Sequence, residues 1–193
     1  MTISRRRLVL GSAMVLPLAT PALWSRARAQ AGGAPTPPIV FAHGNGEQAA
    51  LWMTTLWRME SNGIPRDHML AVNFNDPSAR TDDATPQPNR SSTSDQRNEF
   101  ARAVRELRQR TGAPRVAAVA NSRGGYPVRS YIALGGADVS HAVLCGVPNH
   151  GVFNWDDNAS SEFNGRGPFL KRLNEGEQEV TAGTEFLTLR SDV

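Results

Sequence analysis

Short apolar runs alternate with amphipathic stretches along this chain, and that alternation limits its fold more than any other feature. The runs are Ile39 to Ala42, residues 68–74 (HMLAVNF), Arg115 to Ala120, residues 141–147 (HAVLCGV) and residues 185–191 (EFLTLRS). Their lengths suit buried strands. Helical spacing recurs between them. Ala49, Trp52, Leu56 and Met59 form one stripe over residues 47–62, which Asn62-Gly63 stops. Phe100, Val104 and Leu107 form another over about residues 94–110, with Ser94 or Thr93 as the cap and Gly112 and Pro114 as the stop. Residues 125–134 give a third helix, with Pro127 tolerable in its first turn, and a short helical piece surrounds Phe169 to Leu173. Strands alternating with helices predict an α/β fold, a mostly parallel sheet flanked by helices on both faces.

The 193 residues suit one domain. Residues 1–29 are set apart from it. Arg5, Arg6 and Arg7 precede a moderately apolar stretch, and Ala27-Arg28-Ala29 offers small residues where a signal peptidase reads. This predicts a cleavable export signal of the twin-arginine type, so the twin-arginine export machinery is an expected partner. The expected location is periplasmic or extracellular. A membrane anchor is the alternative. Gly11, Pro17 and Pro21 break up the stretch, so no stable span is expected after cleavage. Residues 30–37 read as a linker and residues 38–193 as the folded domain.

The formal charge of +3 belongs to the leader. Cleavage before Gln30 leaves 16 of the 21 basic residues against all 18 acidic ones, a net charge of −2. Nucleic acid is therefore not an expected partner. The single cysteine, Cys145, rules out an intramolecular disulfide and sits in an apolar run, as packing. The carboxylate pairs Asp82-Asp83 and Asp156-Asp157 read as solvated loop residues, and no metal or other cofactor is expected. Trp52 and Trp57 read as helix packing. Residues 75–93 are polar and proline-rich and read as a surface loop.

In open α/β sheets, reactive groups gather at the carboxyl ends of strands. Three strand ends here are unusual: His43-Gly44-Asn45-Gly46, Asn121-Ser122-Arg123-Gly124-Gly125 and Pro148-Asn149-His150-Gly151. The segment Ala120-Asn121-Ser122-Arg123-Gly124 has the spacing of a nucleophile elbow, with alanine for the first glycine. Small residues are needed there because strand and helix backbones crowd around the exposed serine. An oxyanion hole would take one N–H from Arg123 and another from Asn45, in the loop after the first strand. Gly44-Asn45-Gly46 lacks the lysine and spacing of a phosphate loop.

These motifs, in this order, resemble the α/β-hydrolases of the bacterial lipase and esterase type. IVFAHGNG resembles the oxyanion strand and loop, VAAVANSRGG the elbow, and LCGVPNHG a "GTPNHG"-like strand end. FLKRLNEGEQEVTAGTEFLTLRSD resembles the stretch leading to the strand before the acid. Over about residues 38–192 the resemblance implies a serine ester hydrolase that attacks a small-molecule or lipid ester through Ser122 and an acyl-enzyme, with residues 152–184 as a cap-like insertion.

The triad partners depart from the pattern. The family order is serine, acid, histidine, yet only His141 and His150 follow Ser122, and both precede the fifth strand. His141 begins a strand, at the wrong end of the sheet. His150 precedes any acid in the expected place. His43 reads as a shaper of the oxyanion loop and His68 as structural. Asp192 follows the fifth strand and is the candidate acid, although similar lipases often place theirs a few residues later. A loop aspartate that holds the acid loop is the other reading. The resemblance therefore implies an incomplete α/β-hydrolase domain, with its base histidine beyond Val193. An exported protein that binds a lipid or ester without cleaving it, on the same scaffold, is the alternative.

Overall fold

A computed structural model describes residues 36–175 and 181–190. The segment read as an export signal and Asp192 lie outside the described residues. Five strands form one parallel sheet: β1 (Ile39–Ala42), β2 (Met69–Ala71), β5 (Val116–Asn121), β6 (Val139–Cys145) and β7 (Glu185–Leu189). Their spatial order is β2-β1-β5-β6-β7, and every neighbouring pair is parallel. The chain first lays β2 on one side of β1 and then crosses to lay β5 on the other. That reversal opens a crevice at the carboxyl ends of β1 and β5. In the register, Ala42 pairs with Ala120, so the loops leaving both strands start at the same level.

Alternate side chains of the central strands go to opposite faces. Val40, Ala42, Val116, Ala118 and Ala120 face two helices, α2 (Thr93–Thr111) and α3 (Gly125–Ala133). Phe100, Val104 and Leu107, the stripe expected of α2, are fully buried there. Each such side chain contributes about 1.5–3 kcal/mol on burial. On the opposite face, Ile39, Phe41 and Met69 meet Trp52 and Leu56, from a 3-10 turn (Ala49–Trp52) and α1 (Met53–Ser61). The Trp52 ring lies 5.2 Å from that of Phe41. Trp57 does not pack as expected. It projects from α1 with 60% of its surface exposed, because the apolar stripe of α1 runs through Leu56 and Met59 instead.

Residues 75–93 are not the plain surface loop expected. Two short strands, β3 (Ser78–Ala79) and β4 (Arg90–Ser91), pair in parallel within them, and Ser91, Ser92 and Thr93 are buried. The cap of α2 is Ser92, one residue before the nearer candidate. Its hydroxyl accepts from the Asp95 N–H, and the Asp95 carboxylate accepts from the Ser92 N–H. This reciprocal pair satisfies two donors that a helix start leaves open. Gly112 ends α2 in the left-handed conformation, at φ 69°. Residues 152–167 form an ordered loop followed by α4 (Pro168–Leu173), with Phe163 and Leu170 in the core. No helix among the described residues is long and apolar enough to cross a membrane.

Candidate active site

Ser122 is held where serine seldom goes. It occupies the turn between β5 and α3 with φ +49°, a left-handed conformation that strains a residue bearing a Cβ. The strain persists because both flanks are packed. A Cβ added to Gly124 would lie 2.4 Å from the His43 carbonyl oxygen and 2.7 Å from that of Ala42. One added to Gly125 would lie 2.4 Å from Val147 Cγ2. Glycines in these two places let α3 start hard against the ends of β1 and β6, which leaves Ser122 half-exposed at the crest of the turn.

The loop after β1 closes over this turn. A Cβ on Gly44 would lie 3.0 Å from Ser122 Cβ. The Gly46 N–H donates to the Pro77 carbonyl at 3.1 Å, and the Asn45 Oδ1 accepts from the Ala79 N–H at 2.6 Å. The Asn45 side chain thus fastens the loop to β3, and among the described residues no protein acceptor takes its backbone N–H. The Arg123 N–H stands in the first turn of its helix, where no intrahelical acceptor exists. A cleft of about 660 Å³ opens beside this loop, lined by Gly46, Glu47, Gln48, Leu51, Asn73 and Phe74.

The histidines are placed differently from one another. His43 is fully buried. Its Nδ1–H donates to the Gly44 carbonyl at 3.0 Å, and its Nε2 accepts from the Phe74 N–H at 3.2 Å. Burial holds its imidazole below the ordinary pKa, against the pull of the Gly44 bond and the Glu47 charge. Both ring nitrogens are committed to backbone, so His43 holds the loop and takes no proton from Ser122. His68 ends the 3-10 turn before β2, and His141 pairs with Ala117 near the start of β5. Asn121, beside Ser122, pairs with Cys145. Four residues of strand separate His141 from that level, roughly 13 Å. His141 lies instead beside Ser140 Oγ and 3.6 Å from the Glu185 carboxylate. His150 is exposed in the loop after β6, on the carboxyl side of the sheet. Cys145, half-buried at the end of β6, has its thiol pKa pushed up by burial, which keeps it protonated.

The motif reading gave Arg123 only a backbone role, yet its side chain anchors the site. It is fully buried and forms an ion pair with the equally buried Glu162, from the loop after β6. Its remaining donors reach the Pro77 carbonyl at 3.0 Å, the Ser91 carbonyl at 2.6 Å and the Ser91 Oγ at 3.3 Å. Glu162 also accepts from Thr93 Oγ1 at 2.7 Å. Asp83 completes this cluster, which corrects its reading as a solvated loop residue. Burial and the neighbouring Glu162 charge push its carboxyl up to about 6, while a bond from the Thr93 N–H opposes them. A lone charged residue beside the serine of the turn was the signal available in the sequence. Its partners come from segments 32 to 46 residues away, beyond any local pattern. Among the described residues, no group of three or more His, Cys, Asp or Glu gathers to hold a metal ion.

No protein-family model matches the chain, and no curated protein matches its sequence. Solved structures do match its fold. The Bacillus licheniformis lipase BlEst2 in its propeptide form aligns with a TM-score of 0.58 at 19% identity, over 82% of this chain and 36% of that one. This is the α/β-hydrolase fold of bacterial lipases. The mature form of BlEst2 aligns with a TM-score of 0.55 over 82% of this chain and 67% of that one. Phospholipase PlaB from Legionella pneumophila, in complex with thio-NAD, aligns with a TM-score of 0.54 at 19% identity, over 79% of this chain and 37% of that one. The chain thus spans little more than a third of the BlEst2 propeptide form and of PlaB. In terms of this fold, the described residues supply the central strands, the strand-to-helix turn at Ser122 and the loop that faces it.

Proposed function

We propose that this protein is a serine ester hydrolase, exported by the twin-arginine route and acting outside the cytoplasm on a small-molecule or lipid ester. One observation carries the reading: Ser122 sits at φ +49° on a strand-to-helix turn, with the glycine loop after β1 packed against its Cβ. In this mechanism Ser122 Oγ attacks the ester carbonyl carbon. The Asn45 and Arg123 N–H groups bind the oxygen as it gains charge. Loss of the alcohol leaves an acyl-enzyme, which water then cleaves. The proposed base is a histidine other than His43, His68 and His141. The commitments of His43 and the places of His68 and His141 support this, as does the short span of the chain against BlEst2 and PlaB. Asp192 is the proposed acid, or a residue that holds the acid's loop.

The test is labelling of the full-length gene product by a fluorophosphonate probe, with cleavage of p-nitrophenyl acyl esters. Ser122→Ala should abolish labelling and lower kcat by at least about a thousandfold. Full activity in that variant would rule the mechanism out. The second reading is a non-catalytic protein that binds a lipid or ester. It is favoured by His43, the histidine of the loop that faces Ser122, having both ring nitrogens committed to backbone. A full-length protein inert to the probe, yet retaining lipid or ester, would decide for it.

A further inference from the structure

The loop that faces Ser122 is fastened at its outer side to β3, through Asn45 and Gly46. Its inner side is fastened by Glu47. The Glu47 Oε2 accepts from the Gly44 N–H at 2.7 Å and from Asn121 Nδ2 at 3.1 Å. Gly44 belongs to the loop and Asn121 directly precedes Ser122. One carboxylate oxygen therefore ties the two walls of the crevice together. The three groups converge on one small space. A Cβ on Gly44 would lie 2.7 Å from Glu47 Oε2, 3.0 Å from Ser122 Cβ and 3.3 Å from Asn121 Nδ2. Only glycine leaves that space open, so Gly44 and Glu47 work as a pair.

We propose that Glu47 is a positioning residue that sets the gap between the oxyanion loop and the nucleophile, an inference that rests on Ser122 being the nucleophile. Transition-state binding depends on that gap. The Asn45 N–H lies between the two fastenings of the loop and moves with either. A donor displaced by about 1 Å costs on the order of a hundredfold in rate. The acceptor function of Glu47 matters here, not its charge. A negative charge beside a forming oxyanion opposes it, and the two donated bonds offset that opposition. A neutral amide oxygen can accept from the same two donors.

The experiment compares Glu47→Ala, Glu47→Gln and Asn121→Ala with the wild type in the full-length protein. It reads kcat and KM for p-nitrophenyl esters, the rate of fluorophosphonate labelling and the unfolding midpoint. Glu47→Ala should lower kcat and the labelling rate by about tenfold to a hundredfold with KM within about threefold. Glu47→Gln should stay within about threefold of wild type, and Asn121→Ala, which removes one of the two bonds, should fall between them. Glu47 is half-exposed at the cleft, so the unfolding midpoint should stay constant. Wild-type labelling rates in Glu47→Ala would overturn the inference. So would equal losses in the alanine and glutamine variants, or losses that track the unfolding midpoint. If the wild type itself fails to label, the hydrolase reading fails, an outcome distinct from all of these.

Discussion

Ser122 carries its strain because its neighbours have nowhere else to go. The clearest test at the level of single residues is Gly124. A methyl group there would meet two backbone carbonyl oxygens, those of His43 and Ala42, at 2.4 and 2.7 Å. Backbone oxygens cannot swing aside as a side chain can, so α3 must shift. Gly124→Ala should lower stability by about 1–3 kcal/mol, by analogy with overpacked cores, and lower labelling of Ser122 as well. Urea unfolding with a parallel probe assay checks both, and unchanged stability would show that the helix start has slack. The strand-to-helix turn at Ser122 was legible in the sequence because its demand for small residues is local. Ala120, Gly124 and Gly125 stand within three residues of Ser122. Nothing so local marked Glu47 or Asp83. Glu47 ties Gly44 to Asn121, which stands 74 residues from Glu47, Asp83 meets Glu162, and an acidic residue in a polar loop reads as solvated.

Among the elements, β1, α2 and β5 appear where hydrophobic period placed them, within one or two residues. Three fully buried residues of α2 left little room for another register. The segment before α2 was misread because composition alone governed that reading. Its polar residues turn inward to meet one buried guanidinium, which supplies the donors that make their burial tolerable. The Arg123–Glu162 pair is thus what joins the elbow to the segments before α2 and after β6. Removing one partner of a buried pair strands the other charge. Glu162→Ala should therefore destabilise the domain by about 3–5 kcal/mol in urea unfolding. Replacing both partners, as Arg123→Met with Glu162→Leu, should recover part of that loss, since no charge is then left buried. Equal destabilisation in single and double variants would show that packing, not charge, dominates the site.

Across the whole molecule, the parallel sheet and its order of elements were readable, because alternating strands and helices leave few ways to cover both faces. The long-range polar cluster was not, and it gives the domain a pH dependence. Asp83, Glu162, Arg123 and Thr93 come from four segments and meet only in the folded state. The folded carboxyl of Asp83, shifted to about 6, keeps its proton where the unfolded chain has lost it. An unfolded aspartate titrates near about 3.9. Between those values the folded state binds more protons, so the Asp83 contribution to stability falls as pH rises and levels off above about 6. Protonated, Asp83 donates to Glu162. Ionised, it adds a second negative charge beside it, with the single Arg123 guanidinium to offset both. Asp83→Asn should therefore stabilise the protein at pH 7 by on the order of 2–3 kcal/mol. That gain should shrink toward pH 4, where the wild-type carboxyl is protonated as well. Urea unfolding of both proteins at several pH values from 4 to 7 measures this difference. A gap that stays constant across the range would mean that Asp83 is ionised throughout and that Arg123 stabilises both carboxylates.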